Sequence, residues 1–152
     1  MKKYYLAYGS NLNKEEMKSR CPFAIPVGTS AIQNYRLAFR GIKNISYLTI
    51  EPCEGSLVPV GIYEITPMDE ANLDYYEGYP GLYDKQLVKV QFNNKEIEAL
   101  VYIMANKYSY NLPTTMYISR CLQGYKDFYF SSRFLYNALE FTSDNIPKKL
   151  IK

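Results

Sequence analysis

The sequence predicts an α+β protein in which a curled sheet or small barrel carries helices packed at its rim. Short apolar and aromatic runs broken by Gly, Pro and Asn fill the first two-thirds of the chain, the pattern of strands and turns. Helical spacing dominates the last third, and two N-cap signatures mark shorter helices before it. Strands first and helices last is the order of the α+β class. With 152 residues, 47% apolar and 22% charged, the chain is expected to fold as one domain spanning residues 1–152.

The aromatic run from Lys3 to Tyr8 reads as a first, buried strand. Asn13-Lys14-Glu15-Glu16 places an N-cap residue three positions before Glu, the capping-box pattern, so a short helix should run to about Cys21 and stop at Pro22. Residues Ala24 to Glu51 are β-like, with breaks at Gly28 and at Gly41-Ile42-Lys43-Asn44. Pro52-Cys53-Glu54-Gly55 reads as a turn, and Leu57 to Ile65 as a strand in which Gly61 marks a bulge or a close contact. Thr66-Pro67-Met68-Asp69-Glu70 is a helix start, with N-cap Thr, proline at the first helical position and acids in the first turn. Gly78 is its stop, which puts Glu77 in the last turn. Two strands, Leu82 to Phe92 and Glu96 to Met104, flank the hairpin turn Asn93-Asn94-Lys95. Thr114 caps a helix whose apolar face is Ile118, Cys121, Leu122, Tyr125, Phe128 and Tyr129; Gly124 is expected to interrupt it, and Ser131-Ser132 to restart it toward Phe141.

Several function classes are excluded early. Histidine is absent, and the three cysteines (Cys21, Cys53 and Cys121) are far apart, so no zinc pattern exists and no Ser-His-Asp or Cys-His mechanism can operate. An odd, scattered cysteine set also argues against a disulfide framework and for a reducing cytoplasm. The net charge of +3 is mild and the basic residues are dispersed, apart from the tail Pro147 to Lys152, so nucleic acid is not an expected partner. No run is long enough for a membrane span or a secretory signal. Seventeen tyrosines fit a coding bias, and a few could line a polar-tipped pocket. Acid–base chemistry must therefore use a carboxylate, a lysine, a tyrosine or a thiol.

Two segments could carry such chemistry. In Tyr8-Gly9-Ser10-Asn11-Leu12 a strand stops at a glycine and hands over to a helix, and the N–H groups of Ser10, Asn11 and Leu12 could cradle an oxygen. An ordinary strand-to-helix turn uses the same residues, and the loop alone does not decide between the two. Glu77 lies at a helix C-terminus, where negative charge costs about 0.3–1 kcal/mol, so its pKa should rise if its aromatic neighbours also bury it. A solvated glutamate beside a turn would read the same way.

Taken in order, Tyr8 to Leu12, Tyr35-Arg36-Leu37-Ala38-Phe39, Gly61 to Ile65, Leu73 to Gly78 with Tyr83, and Leu112 to Tyr117 with Gly124-Tyr125 resemble the γ-glutamylcyclotransferase-like family over about residues 4 to 130. The resemblance implies a small α+β fold with a mixed barrel. It assigns Tyr8, Gly9, Ser10 and Asn11 to the substrate cradle, Glu77 to general acid–base catalysis, and Tyr83 and Tyr117 to the pocket. Thr114, where many members carry Ser, is a conservative departure. Phe128-Tyr129-Phe130, where Gly-Leu is common, is expected to alter the helix end and pocket rim.

The implied reaction is attack of a substrate's own α-amine on its γ-glutamyl carbonyl. It releases 5-oxoproline and an amine or amino acid, with no metal and no cofactor. The expected partner is thus a small γ-glutamyl substrate. Two alternatives accompany this reading: γ-glutamyl deprotection within a biosynthetic pathway, and a non-catalytic module sensing a small ligand. The three thiols are expected in the core or partly buried.

Overall fold

The computed structural model describes residues 3–42 and 45–147. Its element order is β1 (Lys3–Ala7), a 3-10 turn (Ser10–Leu12), α1 (Lys14–Arg20), β2 (Ile25–Ile42), β3 (Ile45–Ile65), α2 (Pro67–Tyr76), β4 (Tyr83–Phe92), β5 (Lys95–Met104), β6 (Ser109–Tyr110), α3 (Thr115–Asp127) and α4 (Arg133–Asp144). Six strands form one mixed sheet in the order β4-β5-β1-β3-β2-β6. Only β1 and β5 pair in parallel; the remaining neighbours are antiparallel.

The sheet curls into a half-barrel because its longest hairpin is bent twice. Register shifts fall between Pro26 and Gly28 and between Gln33 and Tyr35, and each local bulge increases the twist. Curling brings the start of β2 round to β4, where Ser30 Oγ donates to the Gln91 carbonyl at 2.7 Å. Residues with both faces covered, such as Leu6, Val58, Val60, Ile62 and Val101, fill the space between the sheet and the helices.

The expected turn at Pro52 to Gly55 does not form. β3 runs straight through it, paired with β2, and the irregularity is absorbed as a bulge in which Asn34 (φ 63°) accepts a hydrogen bond on Oδ1 from the Gly55 N–H (φ 85°) at 3.0 Å. Two positive-φ residues facing each other bend the ribbon without reversing it. The break predicted at Gly41 to Asn44 falls partly on Lys43 and Asn44, which lie outside the described residues, as does the basic tail from Lys148 to Lys152. Up to that gap β2 is unbroken through Ile42.

Gly61 is a close contact and not a bulge. It pairs in register with Ala7 and Thr29, and a Cβ there would lie 2.6 Å from the Phe128 ring and 2.7 Å from the Leu12 side chain. Gly124 likewise does not interrupt α3. It lies inside the helix, and a Cβ would meet the Asn13 nitrogen at 2.5 Å. These two approaches seat α3 and its aromatic end directly on the turn that follows β1.

Tyr129 leaves the apolar face expected for it. α3 ends at Asp127, Phe128 closes the helix, and Tyr129 takes a left-handed φ of 60° that turns its ring into solvent. Phe128 packs on Tyr63 and stacks on Phe130. At the start of α1 only half of the capping box exists. Asn13 Oδ1 accepts from the Glu16 N–H at 3.1 Å, while the Glu16 carboxylate turns away to Arg20. The three thiols are free; Cys21 and Cys121 are buried, and burial pushes both up to about 12. No helix among the described residues is long and apolar enough to cross a membrane.

Candidate functional site

The site begins where β1 ends. Gly9 has no side chain because one would crowd the Tyr117 oxygen, 3.3 Å from an added Cβ, and Leu48 at 3.5 Å. The chain then tightens into the 3-10 turn, closed by Leu12 N–H to Gly9 O and Asn13 N–H to Ser10 O, both 3.0 Å. The Leu12 amide is therefore engaged in the turn and is not part of the predicted oxygen cradle. Among the described residues, the Gly9, Ser10 and Asn11 N–H groups have no such backbone partner.

Facing this turn is the C-terminus of α2. Gly78 adopts φ 64°, Tyr79 N–H reaches Asp74 O at 2.9 Å, and Gly78 N–H reaches Tyr75 O at 3.2 Å. This two-bond C-cap fixes the preceding residue, Glu77, and turns its side chain toward β1 and the 3-10 turn. Among the described residues, its carboxylate is met by Asn11 Nδ2, which donates to Glu77 Oε1 at 3.3 Å and to Tyr5 Oη at 2.9 Å.

One cavity of about 170 Å3 collects every residue predicted for the site. Tyr8, Gly9, Ser10, Asn11, Glu77, Tyr83 and Tyr117 all line it. Tyr5, Tyr47, Leu48, Tyr76, Leu82 and Tyr102 complete the wall and were not predicted. Most of the phenols are committed to the frame. Tyr8 donates to the Tyr102 carbonyl at 2.7 Å and Tyr83 to the Leu48 carbonyl at 2.6 Å, while Tyr117 Oη accepts from Leu48 N–H at 3.1 Å.

The electrostatics follow from burial. Loss of solvation raises Glu77 to about 7, against a smaller opposing pull from the Arg20 guanidinium. Tyr5, Tyr8, Tyr83 and Tyr117 are pushed well above their usual value of 10, first by burial and additionally by the Glu77 charge, so they remain neutral. Tyr76 is raised as well, again chiefly by burial. Glu77 as a residue keeps some solvent access, through the open side of the cavity.

Arg20, behind that wall, is a further residue that sequence reasoning missed. It ends α1, stacks 3.7 Å above the Tyr76 ring, and donates to Glu16 Oε1 at 3.1 Å, to Ser10 Oγ at 3.5 Å and to Asn11 Oδ1. Its signal was faint. It stands four residues after Glu16, a spacing that any surface ion pair could share.

A neutral-range carboxyl, three loop amides and a wall of neutral phenols around one small cavity suit proton transfer beside a carbonyl. Comparison with known proteins gives the family and the fold. A family model described as "Gamma-glutamyl cyclotransferase, AIG2-like" matches residues 5–119. The chain belongs to this family. No curated protein matches it in sequence. Among solved structures, one titled "Gamma-glutamyl cyclotransferase" is 24% identical, with a TM-score of 0.79 over 100% of this chain and 92% of that one. An uncharacterised protein from Homo sapiens is 25% identical, with a TM-score of 0.78 over 99% and 92% of the two chains. A yeast cyclotransferase described as specific to glutathione is only 12% identical, yet has a TM-score of 0.60 over 94% and 96%. The curled sheet with its rim helices is thus the fold of γ-glutamyl cyclotransferases.

Proposed function

We propose that this AIG2-like protein catalyses γ-glutamyl cyclotransfer, with Glu77 as its general acid–base. The observation that carries the reading is a carboxyl raised to about 7 inside a cavity that also holds the loop amides. A group poised near neutrality can both accept and return a proton at pH 7. The buried thiols Cys21 and Cys121 are too weakly acidic to act as nucleophiles.

In the proposed cycle Glu77 takes a proton from the substrate's α-ammonium. The freed amine attacks the γ-carbonyl carbon, forming the ring C–N bond and a tetrahedral oxyanion. The adduct collapses by breaking the C–N bond to the departing nitrogen, which Glu77 protonates. Two protons travel in all from the attacking to the departing nitrogen, so the amine leaves as its ammonium and Glu77 ends as a carboxylate. Because the nucleophile is internal, holding the glutamyl group folded can supply several kcal/mol of the barrier. The cavity of about 170 Å3 is smaller than the roughly 300–1,000 Å3 of drug-sized sites, so it suits the glutamyl moiety while the amine portion projects past Tyr47, Tyr76 and Leu82.

The test is a panel of γ-glutamyl dipeptides and γ-glutamyl amines assayed for 5-oxoproline with wild type and Glu77→Gln. Turnover by wild type and its loss in the variant is expected. Undiminished turnover by Glu77→Gln would remove the acid–base assignment, and binding without product from any compound would favour a sensing role.

A further inference from the structure

The direction of each hydrogen bond in the pocket can be followed from Arg20 inward. A guanidinium only donates, so Asn11 must present its amide oxygen to Arg20. Its NH2 group is thereby turned to the other side, where it donates to Tyr5 Oη at 2.9 Å and to Glu77 Oε1 at 3.3 Å. The Tyr5 oxygen is then an acceptor toward Asn11, and its own O–H is left to point elsewhere.

The buried phenols nearby differ on this point. Tyr8, Tyr83, Tyr63 and Tyr125 each donate to a backbone carbonyl, and Tyr102 donates to Asp74 Oδ1 at 2.5 Å. Tyr117 interacts with the Cys121 thiol. Tyr5 is 4% exposed, lines the cavity, and has no acceptor for its proton among the described residues. Its ring is fixed by an edge contact with Tyr102 at 5.9 Å and by stacking on Tyr63 at 6.3 Å. A buried donor without an acceptor is costly unless a ligand supplies one.

Resting on the cyclotransferase reading above, we infer that Tyr5 is a further catalytic residue whose hydroxyl donates to the γ-carbonyl oxygen as it becomes an oxyanion, and that Arg20 is the positioning residue that aims it through Asn11. Tyr5 Oη and Glu77 Oε1 lie within 3.3 Å of one nitrogen, so donor and base stand beside the same reacting centre. The negative charge develops on the oxygen bonded to the carbon that the deprotonated amine attacks, which is where such a donor is needed. The Gly9 to Asn11 amides then remain free to hold the α-carboxylate. Burial and the Glu77 charge hold the Tyr5 phenol well above 10, so it stays a donor throughout.

The test measures kcat and KM on the panel compound that wild type turns over best, above pH 8.5, where Glu77 is ionised. Tyr5→Phe keeps the ring and its packing, and should lower kcat by about 10²–10³-fold with KM within a few-fold of wild type. Arg20→Met is expected to lower kcat by about tenfold or more at similar KM, Arg20→Lys to recover part of that loss, and Arg20→Met to cost much less in the Tyr5→Phe background. The Arg20 series tests the same aim without touching Tyr5, should Tyr5→Phe fail to fold. A Tyr5→Phe kcat within threefold of wild type, or a loss confined to KM, overturns the oxyanion role. Fully additive Arg20 and Tyr5 effects overturn the relay. A wild type without turnover on the whole panel removes the cyclotransferase reading, and this inference with it.

Discussion

Helix α2 carries a carboxylate near each end, and the two are held in opposite ways. Asp69, in the first turn, is completely buried, yet its oxygens accept from Thr66 N–H at 3.0 Å, Thr66 Oγ1 at 2.9 Å and Phe23 N–H at 3.3 Å. It sits where the helix dipole favours negative charge and completes a full capping box. Glu77, at the other end, sits where the dipole opposes negative charge, and among the described residues its carboxylate accepts one hydrogen bond, from Asn11 at 3.3 Å. The same functional group is a structural rivet at one end and, at the other, an under-solvated carboxyl to which we assign the acid–base role. Burial alone does not mark a functional carboxylate; burial without enough donors does.

The largest expected effect separates the two residues by activity. Glu77→Gln keeps the shape and the contact with Asn11 but cannot exchange a proton, so 5-oxoproline formation should fall by about 10³-fold or more. Asp69→Ala, by contrast, should leave kcat of the folded protein near wild type. It should cost about 3 kcal/mol of stability in urea unfolding, because three partly buried donors lose their acceptor. An Asp69 variant that lost activity without losing stability would erase the distinction.

Titration sharpens the contrast further. The folded value of about 7 for Glu77 lies above the ordinary 4.5, so between those values the folded chain binds the proton more tightly than the unfolded chain. The stabilising contribution of this group is complete below about pH 4.5 and is lost as pH rises through 7. Glu77→Gln should therefore match wild type in stability near pH 4.5 and exceed it above pH 7, by up to about 3 kcal/mol. Denaturant midpoints measured across that range check the sign. If Glu77 is the base we propose, kcat/KM should show an ascending limb near pH 7, since the free protein would have to start with Glu77 ionised.

Much of this was legible in the sequence, and unevenly so. Both ends of α2 could be read locally, since Thr66-Pro67 with Asp69 and the stop at Gly78 are short-range chemistry. The Asn93-Asn94 hairpin could be read for the same reason, with both residues at positive φ (51° and 62°) as such a two-residue turn requires. Local chemistry singled out the loop after Tyr8 and Glu77, the resemblance assigned their roles and added Tyr83 and Tyr117, and the cavity gathers all seven residues. What could not be read depends on partners distant in the chain. Gly124 looked like a helix break because its neighbour across the interface, the Leu12–Asn13 backbone, is more than a hundred residues away. Pro52 to Gly55 looked like a turn, and only the pairs on either side of it, Gln33 with Leu57 and Tyr35 with Pro52, hold the extra residues as a bulge in one ribbon. Arg20 and Tyr5 carry no local motif at all, and only the hydrogen-bond directions converging on Asn11 bring them out.

The smallest effect concerns how firmly Asp69 is held. Thr66 contributes to its end of the helix in both directions: its Oγ1 accepts from the Asp69 N–H at 3.2 Å and donates to Asp69 Oδ2 at 2.9 Å. Thr66→Ala removes both side-chain bonds but leaves the backbone N–H at position 66 and that of Phe23 on the carboxylate. The cost should therefore be that of a lost N-cap, about 1 kcal/mol, well short of the loss expected for Asp69→Ala. Glu77 is fixed by the C-cap at Gly78, eleven residues along the chain, so the ascending limb near pH 7 should not move. A Thr66→Ala variant whose pH profile shifted would mean that the two ends of α2 are coupled and that Glu77 depends on the rivet at the far end of its helix.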